Sequence, residues 1–235
     1  MSDTKTFRPQ HIISLDTETG GFNNKRNALL SIGIAHAVID ETGDIKNFNF
    51  KKEWHISNDF EVVKKTPENG PAIYVTEDAL AINKIDLEDF KKNGVSLEQA
   101  ENEILDYINS IDRSCHYSIL GQNLKFDLGF ILTNMPRLYN RLMDAYTHHE
   151  LRSMSLVFNI LSKGFTDGVS ASTSMDKLRK ELHIESEGQT HSALVDAIDN
   201  IKVFSEIQKI ANNAHGVCVM QAIREGKAEQ LTENE

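Results

Sequence analysis

Asp16 and Glu18, within SLDTETGG at residues 14–21, stand at the end of an apolar run that includes Ile12, Ile13 and Leu15. In an extended strand, residues two apart leave from the same face at ~3.3 Å rise per residue, so these carboxylates stand side by side. Like charges that close repel unless something positive lies between them. A third carboxylate, Asp127, follows the apolar segment HYSIL in the stretch LGQNLKFD, and a fourth, Asp196, follows His191 in HSALVDA. All lie at strand ends or helix starts, places that commonly converge on one edge of an α/β sheet. Oxygen ligands with one histidine and no cysteine point to Mg²⁺ or Mn²⁺ rather than zinc. Two such ions ~3.5–4 Å apart suit in-line phosphoryl displacement, one activating water and the other stabilising the leaving oxygen. The water needs a base, and histidine titrates close to neutral pH.

Each acidic residue taken singly reads as a solvated surface group; the metal reading rests on their joint occurrence in three ordered segments. Asp199, on the same helix as Asp196, is a competing ligand. His148, His149 and Glu150 do not match HExxH and read as solvated surface. Of the cations, the pairs Lys51/Lys52, Lys64/Lys65 and Lys91/Lys92 read as solubility charges, whereas Lys125, Arg137 and Arg141 are placed to meet phosphate.

The elements that must position these groups follow from periodicity. NALLSIGIAHAVID (27–40) and KNFNFKKEW (46–54) read as strands joined by the turn DETGD. Residues 56–79, with Pro67, Gly70 and Pro71, read as a long surface loop. Ser96 opens a helix through the capping box SLEQ, with Gln99 at its third position and Leu97, Ala100, Ile104 and Ile108 recurring at helical spacing. HYSIL (116–120) is a short strand ending at Gly121; a helix follows from about Phe126, and Pro136 ends it or starts the next. The region 144–165 reads as mostly helical, TDGVSAST as a loop, and SMDKLRKELHI as a short helix with Leu178 and Leu182 inward. A long helix runs from about Ser192 to Ala211, with Leu194, Ile198, Ile201 and Phe204 on one side, and the charged tail from Glu225 reads as frayed. Three early strands followed by helices alternating with short strands imply an α/β sandwich with a mixed central sheet, residues 1–222 forming one domain and 223–235 a flexible tail.

Composition narrows the field. A 235-residue chain with 40% hydrophobic residues can bury a sizeable core. Its longest apolar-leaning stretch, Ala28 to Ile39, is interrupted by Ser31, Gly33 and His36, and MSDTKTFRPQ lacks an apolar segment of signal-peptide length. These features imply a soluble, cytoplasmic protein without a membrane partner. Cys115 and Cys218 offer neither a disulfide framework nor a zinc site and read as reduced thiols. A formal charge of −10 argues against generic coating of nucleic acid, although grouped carboxylates holding divalent ions would turn part of that charge into a phosphate-binding site.

DTETGGFN, GQNLKFD and HSALVDA together resemble the three motifs of the DEDDh 3′-to-5′ exonucleases, the superfamily that includes the proofreading subunit of bacterial DNA polymerase III, oligoribonuclease and ribonuclease T. The resemblance spans residues 12 to about 207. Within it ETGGFNNKRNALLSIGIA, ALAINKID and THSALVD look closest to ribonuclease T. The resemblance implies a ribonuclease H-like fold with a mixed sheet flanked by helices. It also implies that Asp16, Glu18, Asp127 and Asp196 hold two Mg²⁺ or Mn²⁺ ions, with His191 as general base. By the same resemblance Thr17 and Phe22 would contact the terminal nucleotide, and Asn123 and Phe126 match the Asn and Phe of the second motif; all four also read as packing or turn residues. Gln122 departs from the pattern, since many members carry His there, and THHELRSMS replaces the usual Asp-Thr after the second motif. The implied substrates are single-stranded DNA or RNA 3′ ends, and the implied assembly is a homodimer.

Two other classes compete. A HAD-type phosphatase also starts from an Asp at a strand end, but has Asp two places on and no use for the His191 and Asp196 pair. A non-catalytic binding module on the same fold would be expected to lose ligands, and all five positions are kept.

Overall fold

The computed structural model describes residues 9–112, 115–163, 174–186, 188 and 192–224, with side chains outside 158–163 and 214–224. Three long strands open the chain: β1 (Gln10–Thr19), β2 (Leu29–Ile39) and β3 (Ile45–His55), each antiparallel to the next. β2 is buried at all but one of its positions, because it runs between two neighbours and is covered on both faces; this is why it reads as a nearly continuous apolar run. Asp40 organises the turn into β3, its carboxylate accepting from the backbone N–H of Thr42 and of Asp44.

The 56–79 segment departs from the expected surface loop. It contains β4 (Glu61–Val63) and β5 (Tyr74–Thr76), a short parallel pair. Val75 is fully buried with Ala28, Leu30 and Phe90. The Tyr74 carbonyl accepts from Ala28 N–H at 3.0 Å, and Thr76 N–H donates to the Gly20 carbonyl at 2.8 Å. A side chain at Gly20 would put its Cβ 2.5 Å from the Tyr74 carbonyl, so glycine is what lets β5 approach the end of β1. Two short helices follow, α1 (Glu77–Asn83), capped by Thr76, and α2 (Leu87–Asn93), capped by Asp86.

α3 (Leu97–Ser110) begins as expected, with the Ser96 hydroxyl accepting from Gln99 N–H. The Gln99 side chain donates to Glu103 instead of folding back onto the cap. β6 (Tyr117–Gly121) runs parallel to β1 and is followed by α4 (Leu124–Asn134). Pro136 stands in the first turn of α5 (Pro136–Met143). The expected helix over 144–165 begins only at α6 (Leu151–Lys163), because Thr147–Glu150 form β7, parallel to β6. α7 (Met175–Glu181) buries Leu178, and α8 (Ala193–Arg224) extends beyond the expected end at Ala211. The segments TDGVSAST and the tail from Glu225 lie outside the described residues.

The sheet order is β3-β2-β1-β6-β7. One face packs Ile13, Leu15, Ile32 and Ile34 against Ile104, Phe130 and Leu138 from α3, α4 and α5. The other packs Ile12, Ala35 and Ala37 against Ile198, Ile201 and Phe204 of α8 and Leu178 of α7. The alternation of Ile12 and Ile13 between two cores is the period-two geometry of a strand buried on both sides. The result is the three-layer, mixed-sheet architecture of the ribonuclease H-like fold. Among the described residues no helix is long and apolar enough to cross a membrane.

Candidate active site

β1 carries Asp16 and Glu18 near its end on the face that α8 covers, and α8 brings Asp196 to them from its first turns. Carboxylate oxygens of Asp16, Glu18 and Asp196 all lie within 4.8 Å of one another. Asp127 arrives from the first turn of α4, almost fully buried, and accepts a hydrogen bond from the Thr17 hydroxyl at 2.6 Å. The Thr17 hydroxyl therefore holds this carboxylate, and Thr17 also borders the cleft beside the cluster.

Electrostatics reflect the crowding. Burial pushes Asp16 well above the usual carboxylate range, and the charges of Asp127, Asp196, Glu18 and Glu53 add to it. Burial raises Glu18 to about 8, helped by Asp196, Glu53 and Asp127. Burial raises Asp127 to about 7 against the opposing bond from Thr17. The charges acting most strongly on Asp16 and Glu18 are all negative, so this cluster keeps protons or takes up cations. Oxygen donors at this spacing fit a hard divalent cation.

The start of α4 is held from a distance. Asn123 adopts a left-handed conformation with φ of 61°, one that Asn tolerates better than most residues. Its N–H donates to Glu150 Oε1 at 2.7 Å, and Leu124 N–H donates to Oε2 at 2.9 Å. Glu150 thus caps α4 from β7 and helps to place Asp127. The HHE segment is structural and not simply solvated: His149 packs on Phe204 with ring centroids 5.0 Å apart, and His148 contacts the Leu142 carbonyl at 3.1 Å. Its sequence signal was hidden because its partners lie on other elements.

A cleft of about 540 Å³ adjoins the carboxylates, lined by Thr17, Glu18, Phe22 and Phe126 together with Lys64 and Lys65. Phe22 is 92% exposed, and its ring meets Phe126 edge-on at 6.3 Å between centroids. Phe126 itself packs on Phe130, which anchors it to the core. The lysine pair, read from sequence as solubility charge, faces the cleft because the 56–79 segment folds back onto the end of β1. Asp78 and Ile82 of α1, which sequence reasoning did not single out, line it too.

Other expectations are redistributed. Asp199 is fully buried and paired with Arg179 at 2.6 Å, which removes it from competition with Asp196. Arg137, expected to meet phosphate, forks onto Glu101, which also accepts from the backbone of Arg137 and Leu138. Arg141 is engaged by Asn109 and the Tyr117 hydroxyl. Both arginines therefore tie α5 to its neighbours. Lys125 is exposed on α4. His191 lies outside the described residues.

Comparison with known proteins identifies the family. Residues 11–208 match the model of the 3'-5' exoribonuclease Rv2179c-like domain. Ribonuclease T of Buchnera aphidicola subsp. Schizaphis graminum is 26% identical over 212 residues, covering 86% of this chain and 84% of that protein. Ribonuclease T of Shewanella baltica (strain OS155 / ATCC BAA-1091) is 32% identical over 134 residues, 56% of this chain and 55% of that protein, so the match spans about half of that relative. Among solved structures, exonuclease I from Methylocaldum szegediense superposes with a TM-score of 0.62 at 15% identity, covering 85% of this chain and 40% of that one. E. coli exonuclease I in complex with a dT13 oligonucleotide gives 0.60 at 14% identity, covering 88% and 43%. The chain thus spans about two fifths of the exonuclease I chains, and that likeness establishes the fold. With most of its length matched, the chain belongs to the Rv2179c-like 3'-5' exoribonuclease domain family, within the DEDDh exonuclease superfamily.

Proposed function

We propose that this protein removes nucleoside 5′-monophosphates one at a time from the 3′ ends of single-stranded nucleic acid, with RNA tails as the favoured substrate. The observation that carries the reading is the convergence of Asp16, Glu18 and Asp196 oxygens within 4.8 Å of one another beside an open cleft. Asp16, Glu18, Asp127 and Asp196 would hold two Mg²⁺ or Mn²⁺ ions. When bound, such ions neutralise phosphate charge and lower the pKa of a coordinated water.

The chain's own groups do the rest. His191 takes the proton from water as its oxygen attacks phosphorus in line with the departing 3′-oxygen of the preceding nucleotide. The exposed Phe22 ring stacks on the terminal base, and Phe126, braced on Phe130, supports it from the edge. Thr17 orients the Asp127 carboxylate through its hydroxyl. Asn123 shapes the turn that starts α4, near the incoming strand. The protein is also proposed to act as a homodimer.

Matched RNA and DNA oligonucleotides labelled at the 5′ end, incubated with Mg²⁺ or with chelator, test the reading. A ladder of products shortened from the 3′ end is expected in Mg²⁺ only, and Asp16→Ala or Glu18→Ala should abolish it while leaving a folded protein. Normal digestion by the alanine variants would refute it.

A further inference from the structure

We propose that Glu53, on the outer strand β3, is the positioning residue that seats the first turn of α8 on the sheet and thereby sets Asp196 against Asp16 and Glu18. The activity readout rests on the exonuclease reading above; the seating itself does not.

Asp16 pairs with Gly33 across β1 and β2, and Gly33 pairs with Glu53 across β2 and β3. Residues directly opposite in such ladders project from one face, so Asp16 and Glu53 flank a position with no side chain. A Cβ built on Gly33 would lie 2.2 Å from the Ala193 carbonyl carbon and from the Leu194 nitrogen. The first turn of α8 therefore rests in the notch that this glycine leaves.

Glu53 closes the notch. Its Oε2 accepts from the Ser192 hydroxyl at 2.7 Å, and its Oε1 accepts from Ala193 N–H at 3.2 Å and from the Ser31 hydroxyl at 2.9 Å. Ser192 in turn accepts from Val195 N–H at 3.4 Å, so the residue that caps α8 is itself tethered to the sheet. The first N–H groups of a helix lack intrahelical partners and carry partial positive charge, which makes a carboxylate there doubly favourable. Asp196 lies one turn in, its N–H donating to the Ser192 carbonyl at 3.0 Å, so a displacement of Ser192 is transmitted to it. Both Glu53 oxygens accept from protein donors on α8 and β2, the contacts of a brace between helix and sheet. His191 is the residue immediately before Ser192, so the same brace sits next in sequence to the proposed base.

The test uses Glu53→Ala and Glu53→Gln in the full chain. Glutamine can turn its carbonyl oxygen to Ala193 and Ser31 and its amide to the Ser192 oxygen, preserving the seat without the charge. Amide hydrogen exchange over residues 193–200 is measured beside kcat, KM and the Mg²⁺ concentration giving half-maximal activity. For Glu53→Ala we expect faster exchange in this segment, a half-saturating Mg²⁺ concentration raised roughly tenfold and kcat lowered about tenfold, with KM changed less than about twofold. Glu53→Gln should return each value to within about threefold of wild type. Wild-type exchange and Mg²⁺ dependence in Glu53→Ala would overturn the proposal. So would equal impairment of both variants, which would place the effect in the charge. Should Glu53→Ala fail to fold, Ser31→Ala removes one bond that holds Glu53 while leaving the Ser192 cap in place and should show the same pattern more weakly; an unaltered Mg²⁺ requirement and unaltered exchange there would also overturn it. A wild-type protein without hydrolytic activity would refute the exonuclease reading, and the exchange comparison would still decide the seating.

Discussion

Replacing Glu18 with glutamine is expected to stabilise the metal-free protein even as it removes activity. Burial and the neighbouring Asp196, Glu53 and Asp127 raise the Glu18 carboxyl from 4.5 to about 8. A carboxyl whose folded value lies above its unfolded one contributes most below the unfolded value, and that contribution is lost as pH rises through the folded value. Over this window unfolding releases a proton, and stability falls by up to about 1.4 kcal/mol per pH unit. Glutamine carries no charge at any pH, so the advantage of Glu18→Gln over wild type grows as the medium becomes more alkaline. Between about pH 5.5 and about pH 7.5 the gap should widen by about 2.5 kcal/mol, a sizeable part of the net stability of an ordinary domain. Urea unfolding of both proteins in chelator at several pH values measures it. Millimolar Mg²⁺ should stabilise wild type more than the variant and shrink the gap, since the cations replace the missing positive charge. A gap that stays constant with pH in chelator, or a wild type more stable than Glu18→Gln throughout, would refute this account of the cluster.

Two further outcomes follow from other parts of the molecule. Asp199→Ala removes the buried partner of Arg179 at 2.6 Å, leaving the guanidinium to the exposed Asp176, and is expected to cost about 1.5–3 kcal/mol in urea unfolding, a loss below about 1 kcal/mol showing that this pair does not hold α7 to α8. Replacing Lys64 and Lys65 together with alanine should raise KM while sparing kcat, and should reduce the slope of log KM against log salt by about 0.7 for each phosphate that the lysines neutralise; an unchanged slope would remove the pair from the substrate path.

The parts legible in sequence are those whose signal is local. The strand pattern of β1 to β3, the Ser96 cap, a helix boundary at Pro136 and the apolar stripe of α8 all express the local pattern of one segment. The same holds for Asp16 and Glu18, whose shared face follows from strand geometry alone. β7 escaped because THHE lacks an apolar pattern and is a strand only through pairing with β6. β4 and β5, three residues each, are too short to show a period and exist because Tyr74 and Thr76 bond to the region around Gly20.

What the chain settles by itself is the chemistry available: which side chains can bind hard cations, and which elements end beside them. Which side chains meet was decided by folding. Asp196 rather than Asp199 reaches the carboxylate cluster because the buried Arg179 engages one and the seat at Gly33 and Glu53 presents the other. Lys64 and Lys65 border the cleft while Arg137 and Arg141 are spent on α3 and β6. The physical reason is that periodicity reports how a segment faces the core, whereas the meeting of residues far apart in the chain depends on sheet order and helix seating that no single segment encodes.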